Sequence, residues 1–240
     1  MMTTTIFVLI VAFFASALSA IAGFGGALIL IPMVSFFIDF KLAVGVLTFY
    51  FLANKIFQIY FYRRSIDWKT AGWVWLGAVP AVIVGALTLV SAPTEILKRM
   101  LGILILFYII NVVYKLTREF KPGKVSTPVI GAAYGFFSGV VGVGDPIKAA
   151  LLLQIGLVKE KFVATMAIIA ILLNLIKAIV YSSFALVSAD DVQLIIFLII
   201  VSLLGTYLGK QFLNRLKPEV FKKIVLGLLL IVGLQLIFYP

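Results

Sequence analysis

Long apolar runs separated by short charged connections divide the 240-residue chain, with uncharged or nearly uncharged stretches at 5–38, 42–62, 70–92, 97–114, 128–158, 162–187, 192–209 and 220–239. Most of these runs approach the 20 or so residues that a helix needs to cross a hydrocarbon layer about 30 Å thick. The pattern predicts an all-α polytopic membrane protein. The first run is too long for one span: its 34 residues would make a helix of about 51 Å. It must break, and the break is marked by Gly23-Phe24-Gly25-Gly26 with Pro32 beyond it. The run at 128–158 carries a matching interruption, Gly142-Val143-Gly144-Asp145-Pro146. Each predicts two short helices of about 13–18 residues meeting at a glycine turn, as a re-entrant hairpin or as two thin spans. Non-helical backbone at membrane depth survives only inside protein or beside a water-filled cavity, so the turns should be buried or line a site.

The stretches fall into two similar halves. Ser19, Gly23 and Gly25 recur 119 residues later as Ser138, Gly142 and Gly144, while Asn54 and Gly85 recur 120 later as Asn174 and Gly205. Pro93 and Gly102 recur 125 later as Pro218 and Gly227, and the offset grows only in polar connections. This predicts an N-terminal repeat at 1–114, a basic cytoplasmic linker at 115–127 and a C-terminal repeat at 128–240. A hairpin adds an even number of crossings and the three helices after it make the unit odd. Tandem duplication of an odd unit gives two inverted repeats, each a broken-helix hairpin plus three transmembrane helices. Lysine and arginine counts point the same way, since cytoplasmic connections carry the positive excess. Fourteen fall on one face of this topology and three (Lys41, Lys98 and Arg99) on the other, which places both termini outside a cytoplasmic (inner) membrane. Residues 5–20 end in small residues like a signal peptide, but no Lys or Arg precedes them and their repeat partner lies mid-chain, so a first membrane segment is expected instead.

Composition narrows the function. Hydrophobic residues make up 64% and charged residues 12%, against roughly 45–50% and 25% in soluble domains. The absence of Cys and His excludes disulfides, thiolate zinc sites and every catalytic arrangement built on those side chains. The net charge of +11 belongs to the cytoplasmic connections and implies no nucleic-acid partner. No cofactor is expected: the glycine turns complete no G-x-G-x-x-G fingerprint and lie in no strand–helix context.

Three lysines, Lys55, Lys148 and Lys177, fall within membrane segments, where a charge costs roughly 2.5–3.5 kcal/mol even on the mild insertion scale. Lys55 has Asn54 beside it and Gln58 three residues on; Lys177 follows Asn174 by three and shares its helix face. One reading is a midplane anion site of ammonium groups and amide donors. The other makes the asparagines interhelical hydrogen-bond glue and pairs the lysines with carbonyls or with Asp145. Asp145-Pro146 reads as a helix N-cap followed by Pro at the first helical position. Lys148 opposes the positive end of that helix and needs a negative partner, either Asp145 or a bound anion. The glycine turns add helix N-termini whose free N–H groups attract anions. In an inverted repeat two such turns meet at the midplane, as in discontinuous-helix transporters.

Gly23-Phe24-Gly25-Gly26 followed by Pro32, together with Ser138-Gly139 leading into Gly142-Val143-Gly144, resembles the sulfite exporter TauE/SafE family. The resemblance spans nearly the whole chain, including the two-fold repeat. It implies transport of small sulfur-containing anions such as sulfite or sulfonates across the cytoplasmic membrane, with Gly23, Gly25, Gly26, Gly142 and Gly144 in the family's glycine turns. The chain departs from the family's pattern after the second turn, where Asp145-Pro146 and then Lys148 replace further glycine. The expected function is a secondary transporter, in the export direction, working by alternating access, with Gly23, Phe24, Gly25, Gly26, Asn54, Lys55, Gln58, Gly142, Gly144, Asp145, Lys148, Asn174 and Lys177 as its substrate-binding residues. Its partners are the anion and the lipid bilayer, and a homo-oligomer is left open. An anion channel is the alternative. An intramembrane enzyme lacks the paired acid and base of hydrolysis. Asp145 is the only embedded carboxylate able to carry a coupling proton.

Overall fold

The computed structural model describes residues 2–22, 26–114, 122–212 and 218–238. Gly23, Phe24 and Gly25 of the first turn and residues 115–121 of the linker lie outside the described residues. Ten α-helices and no strand occur among those described: α1 (Met2–Ala22), α2 (Gly26–Val34), α3 (Phe40–Tyr62), α4 (Trp68–Ser91), α5 (Thr94–Tyr114), α6 (Ser126–Val141), α7 (Asp145–Gln154), α8 (Lys159–Ser183), α9 (Val192–Phe212) and α10 (Pro218–Phe238). Among the described residues five helical segments, in α3, α4, α5, α8 and α9, are long and apolar enough to cross a membrane. Their outward faces are apolar, with Leu76, Ile103, Ile179 and Tyr207 each more than half exposed. That surface suits lipid tails and would aggregate in water.

The second long stretch breaks at the Gly142 turn, and the first is divided between α1, ending at Ala22, and α2, beginning at Gly26, but the arms are unequal. α2 has 9 residues and α7 has 10, about 14 and 15 Å of helix, half of a hydrocarbon core. The expected 13–18 residues per arm overshoot because apolar residues continue past each helix end. α2 gives way to a turn at Ser35, whose hydroxyl donates to Pro32 O, and Asp39 then caps α3 through the N–H groups of Lys41 and Leu42. α7 ends in a Schellman motif: Leu157 N donates to Leu152 O, Gly156 N to Leu153 O, and Gly156 takes φ +90°.

Helix pairing repeats when the two halves are exchanged. α4 packs on α6 as α9 packs on α1, α4 meets α8 as α9 meets α3, and α3–α8 and α5–α10 pair helices in equivalent positions. Those equivalent helices run antiparallel. Gly45, early in α3, abuts Val187 just past α8, while the Asp67 N–H beyond α3 donates to Thr165 Oγ1 near the start of α8 at 3.0 Å. In the other pair Gly102 faces Gly233 and Ile237, and Gly233 faces Ile105.

The tightest contact is the parallel seam of α4 and α6. Gly131, Gly135 and Gly139 place one face of α6 directly on the backbone at Val74, Ala78 and Val82 of α4. Small residues at every fourth position allow this approach, which replaces the hydrophobic drive that lipid does not supply. At the far end of α4, Lys41 Nζ donates to Val90 O at 2.8 Å, placing a cation at that helix's negative end.

Candidate functional site

The seam positions α6, and α6 ends at the site. Gly142 ends it with φ +73°, a left-handed turn that glycine adopts without strain. Its missing side chain leaves room for Ile31 and Val44, so α2 and α3 close on the turn. Gly144 lies against Tyr134, where a Cβ would come within 2.7 Å of the ring.

The chain then enters α7, and one sequence expectation changes. The N-cap is Gly144, with no side-chain cap bond, and Asp145 is the first helical residue. Freed from capping, the Asp145 carboxylate pairs with Lys148 Nζ at 2.9 Å, one turn along the same helix. Lys148 is fully buried, donates also to Tyr134 Oη at 3.2 Å and Met166 O at 3.0 Å, and stands 4.6 Å from the Tyr134 ring centroid. Its three protons have three acceptors, and Asp145 supplies the negative partner that its place near a helix N-terminus requires. Asp145→Asn strands a fully buried ammonium, so it should cost about 3–5 kcal/mol, whereas Asp145→Asn combined with Lys148→Met should recover most of that loss. Thermal melts in detergent compare the two.

A small, partly open cavity of about 20 Å³ lies beside this pair, about enough for one water. Its wall brings together Lys55, Gly142, Gly144, Asp145, Asn174 and Lys177 of the sequence expectation, with Ala27 from the first turn of α2. Gly26 is buried next to Ala27, and Gly23, Phe24 and Gly25 fall outside the described residues. Both interrupted hairpins therefore reach one cavity. Lys177 is 2% exposed. Among the described residues it shares the cavity wall with Asp145, whose carboxylate acts on it electrostatically while forming its short ion pair with Lys148.

Lys55 is held differently. Its Nζ donates to Gln58 Oε1 at 3.2 Å, Gln58 Nε2 to Asn54 Oδ1 at 2.9 Å, and Asn54 Nδ2 to Thr206 Oγ1 of α9 at 2.7 Å. Asn54 and Gln58 thus run from the site to α9 and do not line the cavity, nor does Lys148. Sequence reasoning missed Tyr134 and Ser138 as wall residues. They stand four apart on α6, a spacing that was legible, but hydroxyl side chains are too common in apolar helices to carry a signal alone.

An all-helical bundle with apolar faces outward and a polar, lysine-bearing cavity within is a multi-pass membrane protein built around an internal site. Residues 8–236 match the sulfite exporter TauE/SafE family, and the chain belongs to that family. It is similar to the probable membrane transporter protein YjnA of Bacillus subtilis, with 26% identity over 253 aligned positions covering 96% of this chain and 98% of the relative. A probable membrane transporter protein of Methanocaldococcus jannaschii is 27% identical over 183 positions, covering 62% of this chain and 66% of its own. No solved structure matches the chain significantly. The protein is a membrane transporter of the TauE/SafE type, not an enzyme.

Proposed function

We propose that the protein is a secondary transporter of small anions, of the sulfite and sulfonate kind, that binds its substrate at the cavity between the two hairpins. The observation that carries this reading is Lys177: a lysine side chain 2% exposed, on the wall of a polar cavity between membrane-spanning helices. A lysine held inside a membrane protein is costly and functional by default. An oxyanion would satisfy it, with Lys55, Asn174, Ser138 and Tyr134 in reach of further oxygens. The repeats at 1–114 and 128–240, joined by the basic linker at 115–127, act as inverted halves that rock about the site. The antiparallel pairing of α3 with α8 and of α5 with α10 supports this.

In this account the chain lies in the cytoplasmic membrane with both termini outside. The inside-negative potential favours anion exit by about 2.3 kcal/mol per charge per 100 mV, which suits export without a coupling ion. Protonating Asp145 for coupled uptake would break its pair with Lys148, so the pair favours the export reading. The test is a thermal-shift screen in detergent with sulfite, sulfate, thiosulfate, sulfonates and small carboxylates, since a ligand stabilises the form it binds. Stabilisation by a sulfur oxyanion and none by neutral analogues is expected. Indifference to every anion would end the reading.

A further inference from the structure

Three hydrogen bonds in series run from the cavity wall to a helix of the opposite half. Lys55 Nζ on α3 donates to Gln58 Oε1 at 3.2 Å, Gln58 Nε2 to Asn54 Oδ1 at 2.9 Å, and Asn54 Nδ2 to Thr206 Oγ1 on α9 at 2.7 Å. All four residues are buried, Thr206 the most accessible at 7% exposure. The direction of donation is dictated from the cavity end. An ammonium only donates, so Gln58 turns its oxygen to Lys55 and its NH2 to Asn54, which must then offer its own NH2 onward. Thr206 supplies the acceptor that this last donor needs, and a buried donor without one is costly.

The sequence repeat singles out Thr206. Asn54 recurs 120 residues later as Asn174, and at that offset Gln58 corresponds to Ala178 and Thr206 to Ala86. Because α4 meets α8 as α9 meets α3, Ala86 holds beside α8 the place that Thr206 holds beside α3. The second half therefore lacks both the hydroxyl and the amide of the relay, and its asparagine lines the cavity, whereas Asn54 is turned to α9. Resting on the anion-transport reading, we propose that Thr206 is a positioning residue for the anion site: through Asn54 and Gln58 it sets, from the other half of the chain, how the Lys55 ammonium is held at the cavity. The relay adds to the other contacts of Lys55 one whose direction is fixed from α9. With valine at 206 the Asn54 NH2 loses its acceptor, the amide turns, Gln58 is released, and Lys55 loses an oxygen fixed outside the cavity wall.

The experiment is calorimetric titration of the purified full chain in detergent, with a thermal melt of each variant. Sulfite, thiosulfate and ethanesulfonate are the probes, and those that bind the wild type are carried to the variants. Thr206→Val keeps the shape and removes the acceptor, so affinity should fall roughly threefold to tenfold, the worth of one hydrogen bond. Thr206→Ser keeps the hydroxyl and should bind as the wild type does. In a Lys55→Gln background, weaker in itself, Thr206→Val should change affinity little further, because the relay then has no ammonium to hold. Where Thr206→Val does not fold, Gln58→Met cuts the relay one link nearer Lys55 and should show the same loss; where Lys55→Gln does not fold, the contrast of Thr206→Val with Thr206→Ser decides. A melting temperature lowered by Thr206→Val with affinity unchanged, a loss that Thr206→Ser shares, or a loss equal with and without Lys55 would overturn the positioning role and leave anion transport standing. Binding of none of the three probes by the wild type would remove the transport reading and this inference with it.

Discussion

Lys177→Met sharply weakens anion-dependent stabilisation and raises, rather than lowers, the melting temperature of the ligand-free protein. The two effects follow from one fact: Lys177 is 2% exposed and faces the cavity from the membrane interior. Removing a hydrogen bond to a charged group costs about 1.5–3 kcal/mol, so anion affinity should fall roughly 10- to 100-fold. Stability moves the other way because a charge held in the membrane interior, beside a carboxylate already paired with Lys148, is a burden on the folded state. Methionine fills the same space with a flexible apolar chain. A merely structural Lys177 would behave oppositely, with its loss lowering the melting temperature and leaving ligand response intact. Titration of the detergent-solubilised variant with sulfite or sulfate, read by thermal melt, separates the two cases.

Gly135→Val produces a large loss of stability, about 3 kcal/mol or more as an overpacked contact with no room to relax. A Cβ at this position would lie 2.8 Å from Ala78 Cα and 2.9 Å from the adjacent carbonyl carbon, and all the nearest atoms are backbone. No side chain can swing away, so α6 must leave α4, carrying with it the Gly142 turn, Tyr134 and Ser138. Anion response should vanish along with the fold. Gly72→Ala, on α4 where no atom lies within 4 Å of the added carbon, should instead stabilise by roughly 0.5–1 kcal/mol through helix propensity. Retention times and melting temperatures of the two variants in detergent check both outcomes.

Much of this architecture was readable because membrane segments write their limits in the sequence. A 34-residue apolar run cannot be one span, and its glycine cluster falls where α1 gives way to α2, with Pro32 accommodated inside α2. Helix α2, by contrast, stops at Val34 while the apolar run continues to Ile38, so hydropathy alone overstated the hairpin's second arm. Lys55, Lys177, Asn174 and Asp145 stood out because charge and amide groups are expensive in lipid, and all four line the cavity. Cost does not tell direction. Asn54 and Lys55 are neighbours in sequence, about 100° apart around α3, and the first turns to Thr206 while the second faces the site. Asp145 illustrates a local rule overridden by tertiary context: an Asp-Pro start predicts a cap, but the nearby buried Lys148 claims the carboxylate. The seam of Gly131, Gly135 and Gly139 was present in the sequence as a four-residue spacing whose partner helix only the fold identifies.

The most direct test of a substrate site shared by two moving halves is counterflow in proteoliposomes. Vesicles holding the purified protein are loaded with the anion that most stabilises it and presented with a labelled trace of the same anion outside. Saturable uptake stimulated by the internal anion, absent with Lys177→Met of unchanged fold, is the predicted result. Flux that neither saturates nor responds to the opposite compartment, or that persists undiminished in the variant, would contradict the account.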